Sequence, residues 1–464
     1  MKLYIYQILG LVGLFWLGLA ARPLQAQFGD DAAALSSFNL QECIAYAMEH
    51  SEQLRIQNIE VYISSQTVRE SASMGLPQIN VELGTNYNAI IQKAFLPAAI
   101  INPAAPEGEF VAVEFQPRMT GQAAITLSQL VFDMSYFIGL EAARTFKKLS
   151  QKQMAQTKTE IAQNVALAYY GLMVANERIT LLNQNYQRVD SLLRETRALY
   201  QNGFVEKIDV DRTEVTFNNL RTERQKAQRL IGLASQVLKF QMGMPLKDSI
   251  SIEDKLGDLT LDENLLAEQV DFRNRPEYEV LQIQRELAAL DVRYKRSQSY
   301  PSLRAFATYG YNSGVPNVGE LFNGNRWFNY GIVGLTLNIP ILTGFRNGAQ
   351  TQKSRLELEK IDWAYRQLER VANFEAAQAH TELRNALDDL QAQKANMELA
   401  SEVGRVARLK YQNGVGTNLE VLDAETSYKE AETNYYNAVY NALVASVNLK
   451  KALGTLYTED QNDN

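Results

Sequence analysis

The chain has 464 residues, of which 46% are hydrophobic and 21% charged, enough for a large core and more than one structural layer. Its net charge is -7 and its lysines and arginines are not clustered, which argues against a nucleic-acid partner. With 2 histidines and 1 cysteine, a histidine or thiolate metal site is hard to assemble within one chain, and no cofactor is expected. Cys43 is expected to be a buried, inert thiol.

The first residues have the pattern of a secretory signal. Met1-Lys2 precedes an apolar stretch from about Leu3 to Ala21, and Ala26 suits the last residue of a signal peptide at 1–26. An uncleaved membrane anchor is the alternative interpretation of this stretch. The rest of the sequence lacks the run of about 18 apolar residues that a membrane-spanning helix needs. The mature protein is therefore expected to be exported, and to be either soluble or embedded in an outer membrane as strands.

A long internal repeat divides the chain into two halves. Tyr200-Gln201-Asn202-Gly203 recurs as Tyr411-Gln412-Asn413-Gly414, and the match continues without a gap to Gly243 and Gly454, with about a dozen identities in roughly 44 positions. The identical pairs include Val210/Val421, Glu214/Glu425, Ala227/Ala438 and Lys239/Lys450. The repeat predicts equivalent halves at 27–243 and 275–454, a linker at 244–274 and a C-terminal tail at 455–464.

Each half is predicted to contain a helix, a β-hairpin, a very long helix and a shorter helix. The first helix runs from about Asn39 to Met74, and apolar residues then alternate from Gln78 to Asn88 and from Thr120 to Phe132, as in two strands. The proline- and alanine-rich segment between them, Gln92 to Pro117, predicts a long exposed loop. The predicted bounds are hairpins at 78–132 and 302–341, long helices at 135–201 and 345–412, and shorter helices at 206–242 and 417–453.

The strands of both hairpins span about 10 to 13 residues, near the length of a tilted transmembrane β-strand. A soluble four-stranded sheet packed against helices is the alternative. Four strands cannot close a barrel, and an open edge is not tolerated in lipid. If these strands cross a membrane, several chains have to share one barrel, and three chains would supply twelve strands.

The two long helices carry heptad seams of apolar residues, from Ile161 to Leu193 and, richer in alanine, from Ala372 to Ala407. About 65 helical residues make a rod of roughly 100 Å. Each rod ends at the repeated tetrapeptide, where Gly203 and Gly414 suit the left-handed position after a helix. Each half is therefore predicted to form an antiparallel helical hairpin. An exported coiled-coil scaffold or adhesin without channel activity would show the same seams.

Three carboxylates, Asp209, Glu420 and Asp423, follow the two turns. Thr417 and Glu420 have the spacing of a capping box, in which both side chains bind free N–H groups at a helix start. A second role follows if copies assemble around an axis, because each acidic residue then repeats as a ring that selects cations in a narrow throat. The two roles are compatible.

The enzyme hypothesis has few candidate residues. His50 and His380 lie in helical stretches and are expected to face solvent or a helix neighbour. The segment from Gly344 to Gly348 lacks the strand-turn-helix pattern of a phosphate site. Enzymatic activity is therefore the least favoured interpretation.

Several segments together carry a family resemblance: Tyr200 to Gly203, Ile208 to Val210, Arg275-Pro276-Glu277, Tyr411 to Gly414, Leu419 to Glu425 and Lys450 to Leu456, with Pro77 and Pro301. In this order they make the chain similar to the TolC-type outer-membrane efflux channel family, over nearly the whole mature sequence. The resemblance implies a mainly helical protein with a small β part. It further implies a homotrimer in which a twelve-stranded β-barrel lies in outer-membrane lipid and a long α-barrel crosses the periplasm, belted by residues 244–274 and the tail.

The resemblance also implies a function. Members of this family passively conduct substrates of efflux or type I secretion, and they dock onto a periplasmic adaptor protein and an inner-membrane pump. Carried over by position, Asp209, Tyr411, Glu420 and Asp423 would close the periplasmic aperture. The helix-tip turns beside them contain Tyr200, Gly203, Gly414 and Thr417. Where some members have an arginine, this chain has Gly416, so its closing network lacks that link. The sequence does not indicate the cargo.

Overall fold

The computed structural model describes residues 36–101, 103, 106, 108–254, 256, 263–267 and 271–457. The predicted signal peptide and most of the predicted tail lie outside these residues. The described chain is mainly helical with a small β part, which confirms the predicted fold class at this level. It forms two compact units; Thr67–Ala142 and Leu290–Lys353 make up the first, and the other described residues make up the second.

The helices and strands are numbered in chain order. They are β1 (Ser36–Phe38), α1 (Leu40–His50), α2 (Glu52–Ser73), β2 (Gln78–Tyr87), β3 (Lys93–Pro97), β4 (Phe110–Glu114), β5 (Met119–Asp133), α3 (Met134–Gln201), α4 (Lys207–Met242), β6 (Ile250–Ile252), α5 (Pro276–Ser297), β7 (Ser302–Val315), α6 (Val318–Leu321), β8 (Trp327–Asn338), α7 (Arg346–Gln412) and α8 (Asn418–Leu453).

The first unit contains an antiparallel sheet with the strand order β2-β5-β7-β8. Its register gathers apolar side chains on one face, and they are between 39% and 86% exposed. They are Ile79, Val81, Leu83, Ile125, Leu127, Tyr309, Tyr311, Val333, Leu335 and Leu337. We call this the apolar sheet face. The opposite face is largely polar, and Thr126 and Thr308 share a hydrogen bond of 3.0 Å there. Strands β2 and β8 are the two edges of this sheet.

The predicted loop at Gln92 to Pro117 is the clearest error of the sequence analysis. This segment contains a two-stranded hairpin, β3 and β4, paired from Lys93 with Glu114 to Pro97 with Phe110. Short alternation of bulky and small residues supports these strands, but the prolines around them dominate the local sequence pattern. At the open end of the hairpin, Lys93 Nζ lies 3.8 Å from Glu114 Oε1 in an exposed ion pair.

The first helix was also predicted too simply. The stretch from Asn39 to Met74 forms two helices, α1 and α2, separated at Ser51, which has extended backbone angles. Gly243 passes against this break, since a Cβ on Gly243 would lie 2.6 Å from the His50 carbonyl oxygen. The break therefore lies against a distant part of the chain, and a local sequence pattern does not reveal such a contact.

The second unit is built from the two long helices and their shorter partners. Helix α3 has 68 residues and α7 has 67. Along α3, Tyr169 packs with Leu238 of α4 and the buried Cys43 of α1, and Met173 packs with Val439 of α8. Burial raises the pKa of the Cys43 thiol to about 12, so the thiol is unreactive at neutral pH.

Small side chains bring α7 and α8 together. Ala376, Ala379 and Ala445 are buried in a cluster with Leu383 and Leu449, as the alanine-rich seam suggests. Within the described residues, the helices contain no segment long and apolar enough to cross a membrane.

Candidate functional site at the helix turns

Both long helices end in a turn that needs glycine. Gly203 and Gly414 have φ angles of +78° and +72°, the left-handed region that glycine adopts without a Cβ clash. In both turns, N–H groups after the helix donate to carbonyls of its last turn: Gly203 to Tyr200 (3.0 Å), Phe204 to Leu199 (2.9 Å), Gly414 to Tyr411 (3.0 Å) and Val415 to Lys410 (3.0 Å). These bonds end each helix with the same motif and reverse the chain.

The second turn leads into a fully formed capping box. The Glu420 N–H donates to Thr417 Oγ1 over 3.2 Å, and the Thr417 N–H donates to Glu420 Oε2 over 3.3 Å. The first half lacks this arrangement, because Glu206 stands at the start of α4 and makes no side-chain cap bond. Glu420 is exposed, so the cap leaves its carboxylate facing solvent.

The two turns are joined by Asn418, the first residue of α8. Its side-chain Nδ2 donates to the carbonyl oxygen of Asp209 (3.1 Å) and to the Thr213 hydroxyl (3.0 Å) on α4. Asn418 is only 4% exposed and Thr213 is fully buried. This contact fixes the start of α8 beside the start of α4. One of its two hydrogen bonds goes to a backbone carbonyl and the other to a side chain, and the sequence pattern did not indicate either.

Tyr411 is half-buried at the end of α7. It packs with Ala407 against Leu192 of α3 and against Val421 and Leu422 of α8. Burial raises the pKa of its phenol, and the nearby Glu195 and Asp209 carboxylates add to that effect. Tyr411 therefore stays neutral at physiological pH and can serve as a hydrogen-bonding group.

Asp423 lies in a groove of about 500 Å³ between α4 and α8. The groove is largely apolar, and Ile208, Val215 and Leu419 on its walls are about half exposed, between 49% and 60%. Asp211 and Arg212 add charged groups to it. Within the described chain, no hydrogen bond or ion pair joins Asp209, Tyr411, Glu420 and Asp423 to one another.

A buried ionic cluster that the sequence pattern did not reveal lies about two turns from the start of α8. The Glu425 carboxylate, 6% exposed, accepts from Arg188 Nε of α3 over 3.2 Å and forms an ion pair with Arg408 of α7. Next along α8, Glu432 accepts a bond of 2.8 Å from the Asn185 side chain of α3. The only sequence signal was the identity of Glu214 and Glu425 in the repeat. It marked the position but not its partners.

The histidines, which the sequence predicts to face solvent or a helix neighbour, lie away from the turns. The His50 ring stacks on Tyr46 with centroids 4.0 Å apart, and its Nδ1 lies 3.0 Å from the Tyr46 carbonyl oxygen. Among the described residues, no group of three or more His, Cys, Asp or Glu side chains is placed to hold a metal ion.

Comparison with known proteins identifies the family. The family described as outer membrane efflux protein matches residues 44–243 and 272–455. The outer membrane protein TolC of Vibrio cholerae is 22% identical over 447 residues, covering 95% of this chain and 96% of that protein. The alkaline protease secretion protein AprF of Pseudomonas aeruginosa is 21% identical and covers 82% of this chain and 81% of its own length.

Solved structures agree at the level of the fold. The outer membrane protein VceC of Vibrio cholerae superposes with a TM-score of 0.68 at 18% identity, covering 89% of this chain and 96% of that one. The open-state MtrE outer membrane channel of Neisseria gonorrhoeae also gives 0.68 at 18% identity, covering 95% and 98%. Because the family match extends over most of the sequence in two blocks that correspond to its two halves, this chain belongs to the outer membrane efflux protein family.

Proposed function

We propose that this protein is an outer-membrane exit duct that passively conducts substrates of an efflux or type I secretion system. Relatives named for antibiotic efflux, for toluene efflux and for alkaline protease secretion support this class of function. The chain supplies no reaction step, and a partner pump supplies the energy. No finding supports the alternative of an exported scaffold or adhesin.

The apolar sheet face is the observation that carries the proposal. Ten large apolar side chains on one face of the β2-β5-β7-β8 sheet are exposed in the single chain, and lipid is the solvent that such a face requires. The strands of this sheet are 10 to 15 residues long, enough to cross a bilayer when tilted. The sheet cannot close on itself because β2 and β8 are unpaired edges.

A homotrimer would give both edge strands, β2 and β8, a hydrogen-bonding partner. If β2 of one copy pairs with β8 of the next, three copies close a barrel of twelve strands without an open edge in lipid. The same threefold arrangement brings the long helices of three copies together as an α-barrel in the periplasm. In this arrangement the turn residues repeat three times around one axis.

The turns then form the gate. We place Asp209, Tyr411, Glu420 and Asp423 at the constriction, where rings of three like charges favour cations. The capping box is compatible with this role, because only Glu420 Oε2 is bonded to Thr417 and the side chain is exposed. The groove beside Asp423 offers an apolar surface with a few charges, and we propose that the helical tip of a periplasmic adaptor binds there.

The test is the ion selectivity of purified protein in planar bilayers. Wild type is expected to form cation-selective pores. Glu420→Gln with Asp423→Asn removes two acidic rings, yet glutamine at 420 retains the capping box. We expect the cation-to-anion permeability ratio to fall roughly threefold or more in the double variant.

Glu359→Gln is the matched control. It removes one exposed carboxylate of α7 that lies about 80 Å from the turn along the helix, so selectivity should stay at the wild-type value. An unchanged permeability ratio in the double variant would remove these residues from the constriction. A protein that forms no pores and leaves membranes in high salt would contradict the duct itself.

A further inference from the structure

One contact between α3 and α8, midway along the long helices, is polar. Gln163 of α3 donates from Nε2 to Asn448 Oδ1 of α8 over 3.0 Å, and its Oε1 accepts from Lys451 Nζ over 2.7 Å. All three side chains are partly buried. The Gln163 amide is therefore bonded at both ends, to two residues that lie one turn apart on α8.

The same three positions of the repeat are apolar on the other two helices. Both long helices are continuous, so the offset of 211 residues holds along them, and it relates Gln163 to Phe374 of α7. It relates Asn448 and Lys451 to Val237 and Phe240 of α4. In the single chain, Phe374 is 69% exposed, Val237 42% and Phe240 72%. Large apolar side chains exposed together at matching positions indicate a surface that another molecule covers.

Ten residues nearer the turns, the chemistry of the two helix pairs is reversed. Met173 of α3 is buried against Val439 and Leu443 of α8, so the contact within the chain is apolar there. The counterparts of these residues are exposed and mainly polar. They are Arg384 of α7 and Gln228 and Gly232 of α4.

We propose that α4 of a second copy covers the exposed surface around Phe374, with Val237 and Phe240 against the Phe374 ring. In this arrangement α7 of one copy lies beside α4 of the next in the way that α3 lies beside α8 within the chain. The inference rests on the proposed homotrimer and adds a specificity to it. The reversed order of polar and apolar positions makes a first half pair only with a second half.

Pairing of two first halves would mismatch both positions. With α3 of one copy beside α4 of another, the Gln163 amide would face Val237 and Phe240 and lose both of its hydrogen bonds. Met173 would at the same time face Gln228. A polar group that is buried without a partner is an effective way to exclude an incorrect neighbour.

Pairing of two second halves fails for the same reason. With α7 of one copy beside α8 of another, the Phe374 ring would face Asn448 and Lys451, and Arg384 would face Val439. Only the alternation of first and second halves matches polar with polar and apolar with apolar groups at both positions. A closed ring of three copies alternates in this way.

The test transfers the polar contact from the inside of the chain to the surface between copies. The full-length protein is solubilised in mild detergent, and the half-life of its trimer is measured after addition of a fixed amount of a dissociating detergent. Phe374→Gln places an amide against Val237 and Phe240 and should shorten the half-life about tenfold. Combining it with Val237→Asn and Phe240→Lys rebuilds the bonded set of Gln163, Asn448 and Lys451. This triple variant should recover to within about threefold of wild type.

Two further variants serve as controls. Val237→Asn with Phe240→Lys, without the change at Phe374, creates the opposite mismatch and should destabilise the trimer as Phe374→Gln does. Phe322→Gln makes the same change of side chain at an 86% exposed position between α6 and β8 and should leave the half-life at the wild-type value.

A second measurement covers variants that fail to assemble. Phe374→Cys with Phe240→Cys keeps small side chains at the contact, and a short bis-maleimide should join the copies covalently. The natural Cys43 is fully buried and gives a low background. The proposal is overturned if this pair joins no copies, or if the triple variant dissociates as fast as Phe374→Gln.

Pore formation in planar bilayers separates this inference from the duct proposal. Conducting trimers with equal half-lives in all variants would reject the pairing of Phe374 with α4 and retain the duct. Recovery in the triple variant of an oligomer that forms no pores would retain the pairing and reject the duct.

Discussion

Asn418 is a small side chain with a large structural role. It donates to the Asp209 carbonyl and the Thr213 hydroxyl, and it is 4% exposed, so solvent cannot replace these partners while the two turns stay packed. Thr213 in turn donates to the Asp209 carbonyl over 2.7 Å. Both atoms that face Asn418 Nδ2, the Asp209 carbonyl oxygen and the Thr213 hydroxyl oxygen, act as hydrogen-bond acceptors. The side chain at position 418 therefore has to be a hydrogen-bond donor.

Substitution of Asn418 tests this polarity. Asn418→Ala loses two bonds and should lower the free energy of unfolding by about 1 to 2 kcal/mol. Asn418→Asp places a carboxylate against the Asp209 carbonyl, and at pH 7 it should cost about 1 to 2 kcal/mol more than alanine. Burial raises the pKa of that introduced carboxyl in the folded state above its unfolded value of about 3.9.

The penalty from the charge of Asn418→Asp therefore grows as pH rises above about 4 and is lost below it, where the protonated carboxyl supplies one donor in place of the two N–H groups of the amide. Thermal unfolding in detergent at pH 7 and pH 4, followed by circular dichroism, gives the comparison with Asn418→Ala and wild type. Equal melting of the two variants at pH 7 would show that donation by Asn418 does not matter.

Local sequence spacing predicts some of the contacts near the helix turns and does not predict others. The Thr417–Glu420 capping box lies within one turn, so the sequence pattern predicted it and the structure has both of its bonds. The Arg188–Glu425 bond joins residues 237 positions apart, and each is an ordinary helical surface residue by local pattern. A contact of this kind depends on which helices become neighbours, and the repeat marked only one of its members. The rings at Asp209, Glu420 and Asp423 remain a prediction.

The strands also show that a local sequence pattern predicts some elements and not others. Alternation placed Ile79, Val81 and Leu83 on one face, and the register extends that face across all four strands. Alternation of apolar and polar residues does not predict a strand reliably when the strand is short. Strands β3 and β4 have five residues each and are stabilised by pairing with one another, so their segment looked like a proline-rich loop.

Two neighbouring residues of β2 test which face meets lipid. Leu83 lies on the apolar sheet face and Glu82 on the opposite face, both near the middle of the strand. An arginine in the middle of a bilayer costs about 2 to 4 kcal/mol, so Leu83→Arg should greatly reduce the protein assembled in the outer membrane. Glu82→Arg introduces the same side chain toward the polar face and should assemble near the wild-type level. Comparable amounts of both variants in the membrane fraction would contradict the assigned face.

For the whole molecule, the repeat predicts how copies meet. Within one chain, Leu192 of α3 packs against Val421 and Leu422 of α8. The positions 211 residues from Leu192 and Leu422 are Val403 of α7 and Asp211 of α4. Val403 is 51% exposed in the single chain. In a closed ring of alternating halves, α7 of one copy meets α4 of the next as α3 meets α8 within the chain.

Tyr200 supports the same arrangement. Its counterpart Tyr411 is half-buried against Leu192, Val421 and Leu422, whereas Tyr200 is 45% exposed. An equivalent neighbour for Tyr200 would be Val403 of another copy. The exposure of Val403 and Tyr200 is thus what one segment of a ring should show, because these side chains lack the partner that their counterparts have within the chain.

A cross-linking experiment tests this arrangement. Val403→Cys combined with Asp211→Cys puts two thiols at the expected contact between copies, and a bis-maleimide that spans about 10 Å should join them in a detergent-solubilised sample. Denaturing electrophoresis should then resolve covalent dimers and trimers and nothing larger, since a ring of three closes on itself. Each single variant is the control and should stay monomeric on the gel, because one thiol per copy has no partner at this contact. Cross-linking confined to single chains would mean that α4 and α7 of the same copy meet there instead, and the ring built on the repeat would have to be rejected.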